Sequence, residues 1–471
     1  MVTDCFLTAL AQTIGPNDLI RGYADDIGMV LRNVWRDGPL ISNMFQCIAR
    51  ISCLHLNGKK CIFIPLWQFS ADGVSELLWS RIPAWSALLI KSYGKYLGFL
   101  IGPGAQNKEW DSIMPKVLET ARFIKSLGLP KFHAFLLYQM LGTSQLLFVA
   151  QLRRPPRGLR RIELGAARAI IGGPGLWAPM RFFHHIQSQC KFPVAFPAFD
   201  TLCRATMIRT GLCTSPGWRA NLRTLEANAL ELESNLVHPF AKWMEGCAVF
   251  MLREACSGFN LQEFRAAATG GIGIDVLEDC HLQRRVYQYL LPRTHPFDLH
   301  EGLSCKLSRW FPSEEASLRA ARACHVVNSI HKHVPPCVLF CLLNTWCNGW
   351  CTNRRFQIRS GRCSLCLGCT GDDSLEHYAV CPFQWDVFAR KLRQPMFPLS
   401  FSRFLVLEAA SVEEMVFHAC HVYAVRRAVN SRHRESANMG EEYVRDLLWN
   451  GHKTAAIQHM GLSRRYALIF A

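Results

Sequence analysis

Acidic residues are scarce in this chain: 36 Asp and Glu stand against 53 Lys and Arg over 471 residues, a formal net charge of +17. A surplus of that size points to a polyanionic partner, most simply nucleic acid. Charged residues of both signs are only 19% of the chain and half of it is hydrophobic, which excludes global disorder. Long apolar runs are missing as well. The best, Ala134–Ala150, is interrupted by Gln139, Ser144 and Gln145 and reads as a buried helix, not a membrane span. The opening MVTDCFLTALAQTIGPNDL has neither the basic segment nor the cleavage site of a signal peptide. The 21 cysteines are odd in number and scattered, unlike a secreted disulfide framework. The expectation is a nuclear or cytoplasmic protein in a reducing compartment, not secreted and with no membrane partner. No internal repeat or low-complexity tract occurs, which excludes a solenoid. Gly270-Gly271-Ile272-Gly273 lacks the Lys-Ser/Thr that a phosphate loop needs and reads as a turn. A Ser/His/Asp hydrolase arrangement and a carboxylate set for an endonuclease or RNase H are also lacking.

Against those absences, the chain is rich in local pattern. At roughly 100–200 residues per domain, two to four domains are expected. Cys5, Phe6, Leu7, Leu10 and Ile14 recur at near-helical spacing over residues 1–14. Leu19–Leu31 then holds two short apolar runs around Asp25-Asp26, the pattern of a β-hairpin with the acids at its tip. A helix from Pro39 to Ser52 follows, then a turn at Asn57-Gly58 with a strand, and another short strand at Lys95–Pro103. From about 108 to 290 the pattern is mostly helical. Arg153–Arg161, basic and broken by Pro155 and Pro156, reads as a linker or a phosphate contact.

Adjacent carboxylates on a hairpin tip suit phosphodiester synthesis, because two divalent ions must activate a 3′-hydroxyl and neutralise pyrophosphate. Magnesium takes oxygen ligands, so Asp25 and Asp26 are its candidate ligands. An Asp pair alone is weak and recurs at Asp372-Asp373; the octet Arg-Gly-Tyr-Ala-Asp-Asp-Ile-Gly at 21–28 is far more specific. Tyr23-Ala24-Asp25-Asp26 between apolar strands resembles the catalytic hairpin of reverse transcriptases. Leu56-Asn57-Gly58-Lys59-Lys60 and Tyr96-Leu97-Gly98 follow in the order of the non-LTR (LINE-type) retrotransposon enzymes, whose C-terminal part this chain resembles. The resemblance implies that Tyr23 lies beside the primer end and that Lys60, before Lys59, assists pyrophosphate departure. It also implies that Tyr96 and Gly98 belong to a strand pair gripping the primer. The family's palm uses a third metal-binding Asp on an earlier strand, for which no counterpart precedes Asp25, so this chain is expected to be inactive by itself.

Farther along, Cys363, Cys366, His377 and Cys381 are spaced C-x2-C-x10-H-x3-C, two pairs that suit tetrahedral zinc. Cys369 offers an alternative, C-x2-C-x7-H-x3-C. Arg354, Arg355, Arg359 and Arg362, beside Trp350 and Phe356, form a basic-aromatic patch suited to phosphates and stacked bases. This region, approached through Trp346 and Thr352-Asn353-Arg354, also resembles the zinc-binding segment downstream of the polymerase in such elements. Cys337, Cys341, Cys347 and Cys351 read as buried thiols, His184-His185 as structural or surface, His418, Cys420 and His421 as packed, and Arg426, Arg427, Arg432 and Arg434 as an exposed basic face.

The expected fold is α+β: a truncated polymerase palm (1–104), a helical thumb or connection (105–290), a helical region with a zinc knuckle (291–400) and a basic helical tail (401–471). The expected function is that of a fragment of an RNA-directed DNA polymerase, with Mg2+ and Zn2+, an RNA template, a DNA primer or target and deoxynucleoside triphosphates. The alternative is a non-catalytic, zinc-containing nucleic-acid-binding protein derived from such an element.

Overall fold

The structure, a computed structural model, describes residues 2–15, 18–23, 26–53, 55–105, 108–214, 259–269, 281–358, 362–366, 368–392, 400–434 and 440–457. Among the described residues the fold is α+β, mostly helical with three two-stranded sheets. It divides into two compact units. The first comprises Met1–Ile113, Val149–Pro156 and Met207–Asn260; the second comprises Met114–Phe148, Arg157–Thr206 and Leu261–Ala471.

The first unit begins with helix α1 (Val2–Thr13) and the antiparallel hairpin β1 (Leu19–Tyr23) and β2 (Asp26–Val30). The register pairs Leu19 with Val30 and Tyr23 with Asp26. Strand alternation puts Ile20, Gly22, Ile27 and Met29 on one face and Leu19, Arg21, Tyr23, Asp26 and Gly28 on the other. The first face packs inward: Ile20 and Met29 join a core of Leu10, Ile14, Val34, Ile41, Val74, Leu78, Ile82 and Trp85. Asp18 ties the open end of the hairpin, its carboxylate accepting from Gly15 N at 2.9 Å and Arg32 N at 2.7 Å. Helix α2 (Val34–Ser52) starts earlier than the expected Pro39, because Asn33 caps it through Arg36 N; Pro39 lies inside, where it forfeits one helical hydrogen bond.

Strand β3 (Ile62–Phe63), helix α3 (Ala71–Arg81) and strand β4 (Leu89–Ile90) follow, β3 and β4 pairing in parallel. The expected strand at 95–103 is a hairpin, β5 (Gly94–Tyr96) and β6 (Phe99–Ile101). Leu97 and Gly98 between them have φ of 46° and 90°, the sign pattern of a type I′ turn, which glycine adopts without a Cβ penalty. Helix α4 (Lys108–Ser126) carries Glu109 in its first turn, whose buried carboxylate accepts the Leu100 amide and pairs with Arg153 Nε at 3.0 Å. Arg153 is therefore a structural ion pair and not a phosphate contact.

The second unit takes in α5 (Lys131–Tyr138), running through a π turn at Gln139–Thr143 into α6 (Ser144–Ala150) up to Phe148, then α7 (Leu159–Ile171), α8 (Met180–Cys190) and α9 (Phe199–Thr214) up to Thr206. After it come α10 (Leu261–Thr269), α11 (Leu282–Thr294), α12 (Leu299–Leu307), α13 (Ser313–Ile330) and α14 (Pro336–Trp346). The chain closes with α15 (Leu375–Val380), α16 (Pro382–Leu392), α17 (Phe401–Phe404), α18 (Val412–Arg434) and α19 (Glu441–Ile457). Among the described residues, Lys131–Ala150 is the one helix long and apolar enough to cross a membrane. Its π turn breaks the regular ladder, and Ala134, Phe135, Tyr138 and Leu146 are buried in the fold. Phe135 meets Phe192, Phe196 and Phe340 edge-on or tilted, with ring centroids at 6.1, 5.8 and 6.2 Å. From Val338 to Trp346 every residue of α14 is buried, which explains its unbroken apolar sequence. Burial of each large side chain there contributes roughly 1.5–3 kcal/mol.

Candidate metal centre and hairpin site

The Cys/His region hangs from the end of α14. Arg362 and Asp372 form an isolated antiparallel bridge, and Cys363 N donates to Gly371 O at 2.9 Å, so the chain doubles back on itself. Ser374 then caps α15 by accepting from His377 N at 3.1 Å, which puts His377 in the first turn and Cys381 just past the last. The result brings Cys363, Cys369, His377 and Cys381 together, with their four ligand atoms all within 4.8 Å of one another. Cys363 Sγ lies 3.7 Å from Cys381 Sγ, and Cys369 Sγ lies 3.3 Å from His377 Nε2. Ligands at about 2.0–2.3 Å from a tetrahedral zinc are roughly 3.4–3.8 Å apart, so the spacing fits that ion. A Cβ at Gly371 would come within 2.1 Å of the His377 ring; glycine is what lets the imidazole into the group.

The electrostatics fit as well. The neighbouring Cys381 sulfur, and then burial, push the Cys363 thiol well up, so the two ionise together only where a cation offsets their charge. Burial lowers His377, favouring the neutral imidazole that a metal requires. Leu365 N donates to Cys363 Sγ at 3.4 Å, a contact that stabilises a thiolate. One detail departs from the expected ligands. The four-atom group takes Cys369 and not Cys366.

Asp373, fully buried, holds this module to its surroundings. Its carboxylate accepts from Asn353 N at 2.9 Å and from the Tyr378 hydroxyl, and faces His433 Nε2 at 3.3 Å. Sequence reasoning passed over it, since nothing in an Asp-Asp dipeptide separates a buried hub from a solvated turn. Through Asn353 it fixes the loop bearing Arg354 and Arg355. Arg354 is exposed and meets Glu376 at 3.5 Å; Arg355 is half-buried, its pKa lowered by burial and then by Arg309. Arg359 lies outside the described residues. Trp350 is buried, donating to Thr345 Oγ1 at 2.8 Å. It supports the loop from below and offers no face to a base; Phe356 is exposed. In the tail, Arg426 also departs from the expected open face, since it is half-buried with its Nε out of solvent.

In the first unit, Tyr23 is 68% exposed and Asp26, its cross-strand partner, is exposed beside it. Ala24 and Asp25 lie outside the described residues, as do Gly270–Gly273. The second hairpin reaches this face. The Tyr96 hydroxyl donates to Arg21 O at 3.2 Å, and a Cβ at Gly28 would lie 3.2 Å from Tyr96 Cζ. Lys60 is exposed, its amide closing the turn onto Asn57 O at 2.9 Å. Asp18 and Asp37 are both buried and engaged, Asp18 by amides and Asp37 by Arg36 at 2.8 Å. Among the described residues the Cys/His group is the one convergence of three or more metal-ligating side chains.

The chain matches no protein-family model, no curated protein sequence and no solved structure.

Proposed function

We propose that this chain acts on nucleic acid as the C-terminal part of a non-LTR-type reverse transcriptase. In this reading the Tyr23–Asp26 hairpin is the magnesium-dependent nucleotidyl-transfer element, and the Cys363/Cys369/His377/Cys381 group is a structural zinc centre. The observation that carries the reading is the seating of Tyr96 against Gly28 and Arg21 O. Two segments about 70 residues apart, each chosen for its likeness to a different polymerase motif, meet face to face in one unit. That is what a primer terminus held over paired carboxylates requires. Asp25 and Asp26 would hold Mg2+, which would neutralise the triphosphate. Lys60 would assist pyrophosphate departure, and Tyr23, Tyr96 and Gly98 would line the primer end. Arg354 and Arg355 would contact phosphate behind them, and the charge of +17 suits an RNA template paired with a DNA primer or target.

The test is primer extension on an RNA template with magnesium and deoxynucleoside triphosphates. Extension that disappears in Asp25→Ala supports the polymerase reading. A second reading, a non-catalytic zinc-containing nucleic-acid-binding protein, is favoured by one observation: the thiol group is assembled, whereas Asp26 is the one described carboxylate on the hairpin's open face. It is carried instead if the chain binds a primer–template with a steep loss of affinity in salt, never extends it, and binds it equally well with or without magnesium. Magnesium-tightened binding that Asp25→Ala abolishes keeps the first reading even without extension, which the chain alone is expected to lack. Binding indifferent to salt, without extension, would reject both.

A further inference from the structure

Residues 352–358, on the approach to the Cys/His group, form a closed and anchored turn. Phe356 N donates to Thr352 O at 3.2 Å, Gln357 N to Arg354 O at 3.1 Å and Ile358 N to Asn353 O at 2.9 Å. The last two bonds are the nested pair of a Schellman motif, with Gln357 at its left-handed position and Ile358 just after. Gln357 has φ of 58°, which glycine adopts freely and a residue with a Cβ adopts at a cost. Asp373 anchors the turn by accepting its two leading amides, Asn353 N on the carboxylate at 2.9 Å and Arg354 N on the carbonyl at 3.2 Å. Arg355 N donates to Thr352 Oγ1 at 3.2 Å.

This anchored turn displays two apolar side chains and buries neither: Phe356 is 52% exposed and Ile358 51%. The residue at the place of Ile358 in such a motif commonly packs on the one at the place of Asn353, which here is polar. A strained turn that holds apolar groups in solvent is built to meet a partner. Arg354, exposed in the same turn, and the net charge of +17 favour a polyanion. A platform for single strands needs exposed aromatic faces, but Trp350 is buried and Ile358 has no ring. Phe beside Ile is instead the chemistry of a wedge between stacked base pairs.

We propose that Phe356 and Ile358 form an apolar wedge that enters a base step of duplex nucleic acid and unstacks it, while Arg354 holds a flanking phosphate. The proposal rests on the nucleic-acid reading above.

The test uses the full chain and duplexes, all-DNA and RNA–DNA, that carry 2-aminopurine at successive steps. Stacking quenches this base, so its fluorescence at saturating protein reads the wedge. The parent is expected to raise it at least about threefold at one or more steps, and Phe356→Ala/Ile358→Ala less than about 1.5-fold. Both side chains are exposed, so the variant keeps its fold, and its affinity should fall less than about tenfold because the arginines remain. Arg354→Ala should instead lower the salt slope by about one and keep the fluorescence gain. A parent that binds these duplexes without unstacking them, or an equal gain in parent and double variant, overturns the wedge. A parent that binds none of them overturns the nucleic-acid reading itself.

Discussion

Lowering the pH from 7 to 5 is expected to loosen the pairing of α18 with α19, for a reason that lies in three buried histidines. His418 and His421 on α18 and His452 on α19 are all buried among aromatic rings. Trp385 stacks on His421 with centroids 4.5 Å apart, and Phe388 and Phe417 flank His452 at 5.1 and 4.8 Å. Burial is the leading cause that pushes His418 down to about 4 and His452 down to about 3, and it holds His421 well below its ordinary value. Each folded pKa is below the unfolded value of about 6.5, so the unfolded chain binds more protons as the pH drops. The stability these neutral rings contribute is therefore full above about pH 6.5 and is lost progressively toward pH 4 and 3. At pH 5 the loss is about 1.4 kcal/mol times 1.5 pH steps, or about 2 kcal/mol for each histidine. His418 and His452 together give about 4 kcal/mol, a large share of the ~5–15 kcal/mol that holds a domain folded. The assay is urea denaturation of the parent and of His452→Leu at pH 7 and pH 5. The variant is expected to lose about 2 kcal/mol less than the parent over that interval. Titration elsewhere, including His377, is common to both proteins and cancels. An identical loss in parent and variant would refute the argument.

Three further outcomes follow from single contacts. Gly371→Ala puts a Cβ into the His377 imidazole and is expected to abolish stoichiometric zinc binding, read by metal analysis of the purified chain. Asp18→Ala leaves the Gly15 and Arg32 amides without their carboxylate and is expected to cost about 1–3 kcal/mol, read by denaturation. Gly28→Val would drive side-chain atoms into the Tyr96 ring, which already lies 3.2 Å from a Cβ at that position. The expected cost is about 1–3 kcal/mol, with Tyr96 displaced from Arg21 O, read by protection of the hairpin amides from hydrogen exchange.

The hairpin at 19–30 was legible because two short apolar runs flank the polar Asp25-Asp26 pair, and the structure pairs those runs with Tyr23 opposite Asp26. The contact of Tyr96 with Gly28 had no such signal, since 68 residues separate the two positions and only packing joins them. The Cys/His region was legible as a region but not as a ligand set. Three cysteines at equal intervals carry no information about which sulfur faces the ion; the turn through Gly368 and the bond from Cys363 N to Gly371 O decide that. Trp350, Arg426 and Arg153 were misplaced for one shared reason. Side-chain type gives an average exposure, but Trp350 and Arg153 have specific buried partners, Thr345 and Glu109, and Arg426 is half-buried in its helix packing.

Those three departures bear on where the surplus positive charge acts. Arg153 is spent on Glu109 at 3.0 Å, and Arg426 is half-buried. Arg354 stays exposed, on a loop whose backbone is bonded to Asp373 between the metal ligands Cys369 and His377. If zinc is bound as proposed, removing it would free the segment that anchors the loop. On the proposed reading, a chelator that strips zinc should therefore weaken nucleic-acid binding. Arg354→Ala should reproduce part of that loss with zinc still bound. Full-strength binding by the zinc-free chain would sever the two sites and leave the metal as a folding element alone.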